Sequence, residues 1–239
     1  MHSVMKQTPG KIFLAEQRDL LETKSFRRYC TFQFGAYTNE HKVPFGSLLA
    51  VNEETLAGGQ AVALPAAATA CVLVLPLLGA VQAGTSLADA TRVAVEEIWV
   101  ATLPAGGTLH LQNPYETDLV SCLHVWVGVE PGPTPCSSQT LAFEAAHPTN
   151  QLLELLPGYG GALPCRASLG RFTGRAEAAY HLRQPGVGCF AFVLAGAFEI
   201  AGRLLHANDG LALWDTRTVE VEALSNDALL LVLEVNAPA

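Results

Sequence analysis

Gly58–Ala80 reads GGQAVALPAAATACVLVLPLLGA, and no charged side chain occurs between Thr55 and Ala88. A membrane-spanning helix needs about 20 apolar residues, and the run is long enough to supply them. Its other features point elsewhere. The nearest basic residues, Lys42 and Arg92, stand too far off to anchor a helix at an interface. Pro65 and Pro76 divide the run, while Gly58, Gly59 and Gly79 bound it. Between the prolines, Thr69-Ala-Cys-Val-Leu-Val-Leu75 is β-branched-rich and of strand length. The stretch predicts two buried strands joined by an Ala-rich turn, in a protein with no membrane partner.

The same grammar recurs along the chain. Phe45–Val51 is strand-like and is expected to end in a polar turn at Asn52-Glu-Glu-Thr55. Glu97–Leu103, a turn at Pro104–Gly107, and Thr108–Gln112 follow. Leu119–Gly128 is the clearest strand of the first half, and Thr85–Val95 is the one helical expectation. Beyond Glu130–Ser138, a linker with three prolines, strand-like segments resume at 150–156, 162–169, 176–182, 189–194, 197–201, 204–214, 218–224 and 228–235. Many short strands between Gly/Pro turns indicate a sandwich or barrel. Leu77-Leu-Gly-Ala-Val81 is echoed by Leu194-Ala-Gly-Ala-Phe198. The echo predicts two similar β-barrels in tandem, residues 1–137 and 138–239, each of ordinary domain size.

Composition bounds the partners. The 239 residues are half apolar, and 14 basic against 22 acidic residues give a formal charge of −8. With no Lys/Arg cluster, direct contact with a nucleic-acid backbone is not expected. The N-terminus lacks the apolar core and cleavage site of a secretory signal. Cys30, Cys71, Cys122, Cys136, Cys165 and Cys189 are widely spaced, without zinc-ligand spacing. They read as reduced thiols in a cytoplasmic protein.

Tyr29-Cys-Thr-Phe-Gln-Phe-Gly-Ala-Tyr37 with Phe45-Gly-Ser-Leu-Leu-Ala-Val-Asn-Glu-Glu54 resembles the signature HTFSFGDYY…FGxLRVxNED of pirin-like proteins. In the second half, Phe192–Gly202 followed by Leu205–Leu213 is similar to that family's YVLEGSVEVNG…LxAGDAL segment. The resemblance covers nearly the whole chain in order. It implies an all-β bicupin, two jelly-roll-like cupin barrels packed together. It also implies one divalent metal such as iron in the N-terminal barrel, held by three His and one Glu, and, in some members, quercetinase-type dioxygenase activity.

At the positions of the family's HPHRxxE strand this chain has Leu64-Pro-Ala-Ala67, so Leu64 and Ala66 stand where two histidine ligands would be. At its HxE motif stand His110 and Gln112. Alkyl groups offer no lone pair and an amide oxygen is a weak ligand, so a degenerate N-terminal metal site with no cofactor is expected. His110 is expected to point into the barrel. On the strand Cys122-Leu-His124-Val-Trp126, alternation puts Cys122, His124 and Trp126 on one face. Ligand-pocket candidates are therefore His110, Gln112, Cys122, His124 and Trp126, with no catalytic residue assigned. The expected function is non-catalytic: binding of a small ligand, or regulation through a protein partner. The alternatives are a metal-dependent dioxygenase with a non-standard ligand set, such as Cys122, His124 and His110, and a transcriptional co-regulator. His2, His41, His147, His181 and His206 read as surface or turn residues. Phe190, Phe192, Phe198 and Trp214 read as core.

Overall fold

The computed structural model describes residues 8–129, 138–145, 147, 149–156, 163–184 and 186–238. Residues 130–137 of the expected linker, with Cys136, and His2 and the glycines at 158–161 lie outside them. The described chain forms two compact β-units, and apart from a 3₁₀ turn at Ala15–Gln17 its regular structure is strand. No helix among the described residues is long and apolar enough to cross a membrane.

The strands in chain order are β1 (Gly10–Phe13), β2 (Asp19–Glu22), β3 (Phe26–Cys30), β4 (Leu48–Leu56), β5 (Ala61–Pro65), β6 (Ala70–Leu78) and β7 (Val81–Gly84). Next come β8 (Thr91–Val93), β9 (Glu97–Leu103), β10 (Thr108–Gln112), β11 (Val120–Gly128), β12 (Gln139–Ala142), β13 (Leu153–Glu154) and β14 (Arg166–Phe172). The last are β15 (Glu177–His181), β16 (Val187–Ala195), β17 (Ala197–Ile200), β18 (Arg203–His206), β19 (Gly210–Leu213), β20 (Thr218–Ala223) and β21 (Ala228–Asn236).

The first unit has a seven-stranded sheet, β12-β9-β6-β11-β4-β3-β2, and a four-stranded sheet, β5-β10-β7-β8. Side chains from both sheets share one core, including Val72, Val74, Trp99 and Trp126 from the larger and Leu64, Val81, Leu109 and Leu111 from the smaller. The second unit repeats the plan with β1-β19-β16-β21-β14-β13 and β15-β20-β17-β18, around Phe172, Phe198, Leu211 and Val232. The opening run forms β5, a turn and β6, but only β6 is the buried strand expected, since β5 exposes Ala61, Ala63 and Pro65 and buries Leu64. Seven consecutive residues of β6, Ala70–Pro76, are buried, the pattern of a central strand covered on both faces.

The echo between the halves is visible in backbone geometry. Gly79, between β6 and β7, has φ +68°, and Gly196, between β16 and β17, has φ +76°. Both use the left-handed region that glycine enters without a Cβ penalty.

Four expectations need correction. Thr85–Val95 is not a helix. Asp89 N–H donates to Ser86 Oγ at 3.2 Å, the Ser86 hydroxyl donates to Asp89 Oδ2 at 2.8 Å, and a short β8 follows. Asn52–Thr55 is not a turn but the middle of β4, paired on both sides. Trp214 is half-buried, whereas Phe190, Phe192 and Phe198 are fully buried. A cut at 137/138 also misses two strands, because β1 pairs with β19 in the second unit and β12 pairs with β9 in the first. Each covers a sheet edge that would otherwise present unpaired N–H and C=O groups.

Candidate functional site

The site is built on the interior face of the larger sheet of the first unit. Register sets its geometry, since directly paired residues in an antiparallel sheet project to the same face. Glu54 pairs with Cys122 on β11 and with Arg28 on β3. Asn52 pairs with His124 and Cys30, and Ala50 with Trp126. On the other flank of β11, Val74 faces His124 and Val72 faces Trp126. Register shifts at Ser121/Cys122 and at Trp126/Val127 bracket this segment. Such bulges re-aim side chains within a barrel wall.

Four of these side chains form a chain of contacts. The Trp126 indole N–H donates to His124 Nδ1 at 2.8 Å. With Nδ1 accepting, the ring proton sits on Nε2. His124 Nε2 lies 3.5 Å from Glu54 Oε2, an electrostatic contact rather than a full hydrogen bond. Arg28 Nε donates to the same carboxylate oxygen at 2.5 Å. Glu54 and His124 are both fully buried. Burial pushes the His124 pKa below its ordinary value, and the nearby Glu54 carboxylate offsets this only in part. His124 is thus neutral, and the guanidinium balances the Glu54 charge. Glu54 Oε1, His124 Nε2 and both polar atoms of Asn52 have no hydrogen-bond partner among the described residues.

Beside this chain lies a cavity of about 690 Å³. One wall is the β5 edge and its turn, Ala61–Ala68. The opposite side carries Phe26, Arg28, Phe34, Leu49 and Trp126, with Gln33 and Pro44 nearby. Its volume falls in the range of small-molecule sites. The Arg28 guanidinium carbon sits 5.2 Å from the Phe26 ring centre and 5.7 Å from that of Phe34. Phe34 also packs its ring 5.8 Å from His124 and 5.7 Å from Trp126. It therefore stands between the cavity and the buried carboxylate–imidazole pair.

The structure brings together Cys122, His124 and Trp126 on the interior face, and Leu64 and Ala66 point into the same core. Burial raises the Cys122 thiol well above its ordinary pKa, and the Glu54 and Glu53 carboxylates push it further the same way, so it is no nucleophile. His110 and Gln112 are not part of the group. Leu109 and Leu111 fill the core from β10, and alternation then turns both polar residues to the opposite face. Among the described residues no group of three or more His, Cys, Asp or Glu side chains is placed to hold a metal ion.

Sequence reading missed Arg28, Phe34, Asn52 and Glu54. A signal for two of them was present. Leu48, Ala50, Asn52, Glu54 and Leu56 keep period 2 through the apparent turn, and the apolar members at both ends are buried.

Comparison with known proteins places this geometry. Residues 165–235 match the family model described as the quercetinase C-terminal cupin domain. The chain is 23% identical over 205 residues to a quercetin 2,3-dioxygenase of Escherichia coli K12, spanning 84% of this chain and 88% of that protein. The crystal structure of YhhW from Escherichia coli superposes with a TM-score of 0.84 at 18% identity, covering 96% of this chain and 99% of that one. A structure described as the bacterial pirin YhhW in complex with nickel(II) gives 0.80 at 18% identity, covering 96% and 100%. Residues 165–235 thus match a quercetinase-type C-terminal cupin domain, and the chain as a whole shares the all-β, two-unit fold of the YhhW structures.

Proposed function

We propose that the first unit is a binding domain for a small apolar or amphipathic molecule, and that it works without a resident metal. The single observation carrying this reading is the cavity wall. Leu64 and Ala66, both buried, occupy positions where the family resemblance places imidazole ligands, and the space beside them is bounded chiefly by Ala, Leu, Pro and aromatic groups.

The donors present do not fit a divalent ion. Glu54 already holds a guanidinium at 2.5 Å, and a second cation there would be repelled by it. The Nδ1 lone pair of His124 is taken by the Trp126 indole, and Cys122 is held as the thiol. An oxygenase centre built from Cys122, His124 and His110 would need His110 on the face opposite to the one it occupies. The dioxygenase activity named for the Escherichia coli relative is therefore not carried over to this chain.

Protein purified without a metal-affinity tag is expected to contain far less than one equivalent of iron, nickel, copper or zinc by elemental analysis. One equivalent would overturn the reading. In parallel, an apolar probe should change the tryptophan emission through Trp126 on the cavity wall, and Ala66→Phe, which narrows the cavity, should weaken that response.

A further inference from the structure

We propose that the cavity of the first unit selects a monocarboxylate with an apolar body, and that Arg28 is the group that recognises its head. The proposal rests on the binding reading above and names the ligand class. Among the described residues lining the cavity, Arg28 is the one that carries a charge. Its Nε–H is occupied by Glu54, but four N–H donors remain on Nη1 and Nη2, and two of them form the parallel fork at the end of the group. That planar fork matches the two oxygens of a carboxylate.

The surroundings favour this use. Phe26 and Phe34 lie against the guanidinium, which holds it in place and lowers the entropy that docking would cost. Besides Arg28 and Trp126, whose indole N–H is already given to His124, Gln33 is the described lining residue with a hydrogen-bonding side chain. The remaining walls, Ala61–Ala68 with Leu49 and Trp126, offer an apolar track for a hydrocarbon body. Charge balance decides the class of head group. Glu54 and Arg28 cancel beneath the cavity, and His124 is neutral. A single negative charge can share the guanidinium, as in bridged carboxylate–arginine–carboxylate arrangements. A doubly charged phosphate would find too little positive charge, and an ammonium would meet the guanidinium head-on.

The test compares decanoate, 1-decanol and decylamine by isothermal titration, which vary the head on one body. Wild-type protein is expected to bind decanoate at least about tenfold more tightly than decanol, the low end for a charge-assisted hydrogen-bond pair, and decylamine least. In Arg28→Met combined with Glu54→Gln, which removes both charges and leaves neither orphaned, the decanoate-to-decanol ratio should fall to about one. Equal binding of decanoate and decanol by wild type, or preference for decylamine, would sink this inference while leaving the cavity a binding site. A ratio that persists in the double variant would show that Arg28 is not the recognition group. Failure of all three probes to bind wild type would overturn the binding reading itself. The wild-type ratio decides the ligand class even if the double variant does not fold, and Arg28→Lys, which keeps the charge but loses the planar fork, then tests the residue by a reduced decanoate-to-decanol ratio.

Discussion

His124 is a fully buried imidazole whose two nitrogens face different neighbours, an indole donor on Nδ1 and a carboxylate oxygen beyond Nε2. Burial disfavours its charged form, so its folded-state pKa lies below that of the unfolded chain. The unfolded state then binds more protons, and stability rises with pH across the window between the two values. The contribution is complete above about 6.5, the unfolded value, and is lost as pH falls below it, at up to about 1.4 kcal/mol per pH unit. The groups facing His124 are Glu54, Arg28, Trp126 and Phe34. His124→Gln keeps an acceptor for the indole N–H but does not titrate. Urea denaturation at pH 7.5, 6 and 5 should show a shallower pH dependence for this variant than for wild type. Identical slopes would mean that His124 is charged in the folded protein or exposed to water. Sequence alone placed His124 on the right face, because alternation is a local rule. It did not supply Glu54 or Arg28, which reach the imidazole only through pairing with strands distant in the chain.

The strand β10 shows how much depends on one step of register. Its five residues alternate between half-buried Thr108, His110 and Gln112 and buried Leu109 and Leu111. A shift of one position would exchange the faces completely. The motif match drew attention to His110, but the hydrophobic effect places the leucines inwards at about 25 cal/mol per Å² of apolar area buried. Leu111→Ala should therefore cost about 2–5 kcal/mol, whereas His110→Ala should stay within about 0.5 kcal/mol of wild type. Denaturant midpoints for the two variants provide the comparison. A His110→Ala loss as large as that of Leu111→Ala would contradict the outward orientation. In β4 the conflict runs the other way. Asn52-Glu-Glu-Thr55 has turn-like composition, but its two ladder neighbours, β3 and β11, keep it extended. Glu54 tolerates that burial because a guanidinium stands against it.

At the scale of the molecule, each unit borrows its edge strand from beyond the simple division of the chain. β1 pairs residue by residue with β19, from Gly10 opposite Leu213 to Phe13 opposite Gly210. The backbone of Ala15 donates to Asp209 Oδ1 at 2.7 Å, and Arg203 Nη2 donates to the Thr8 carbonyl at 2.5 Å. Deleting residues 1–13 should uncover the β19 edge and lower the thermal midpoint of the second unit. Light scattering should show association through the exposed edge. An unchanged midpoint without association would show that β1 is dispensable. What the sequence by itself determined was local: strand periodicity, a glycine echoed at equivalent places in the two halves, an all-β tandem architecture, and alkyl groups where the resemblance implies ligands. Tertiary structure alone decided which polar residues meet. A carboxylate, a guanidinium and an imidazole, at positions 54, 28 and 124, are neighbours only because the sheet aligns three strands, and sheet register is set by pairing across the barrel rather than by any one strand's residues.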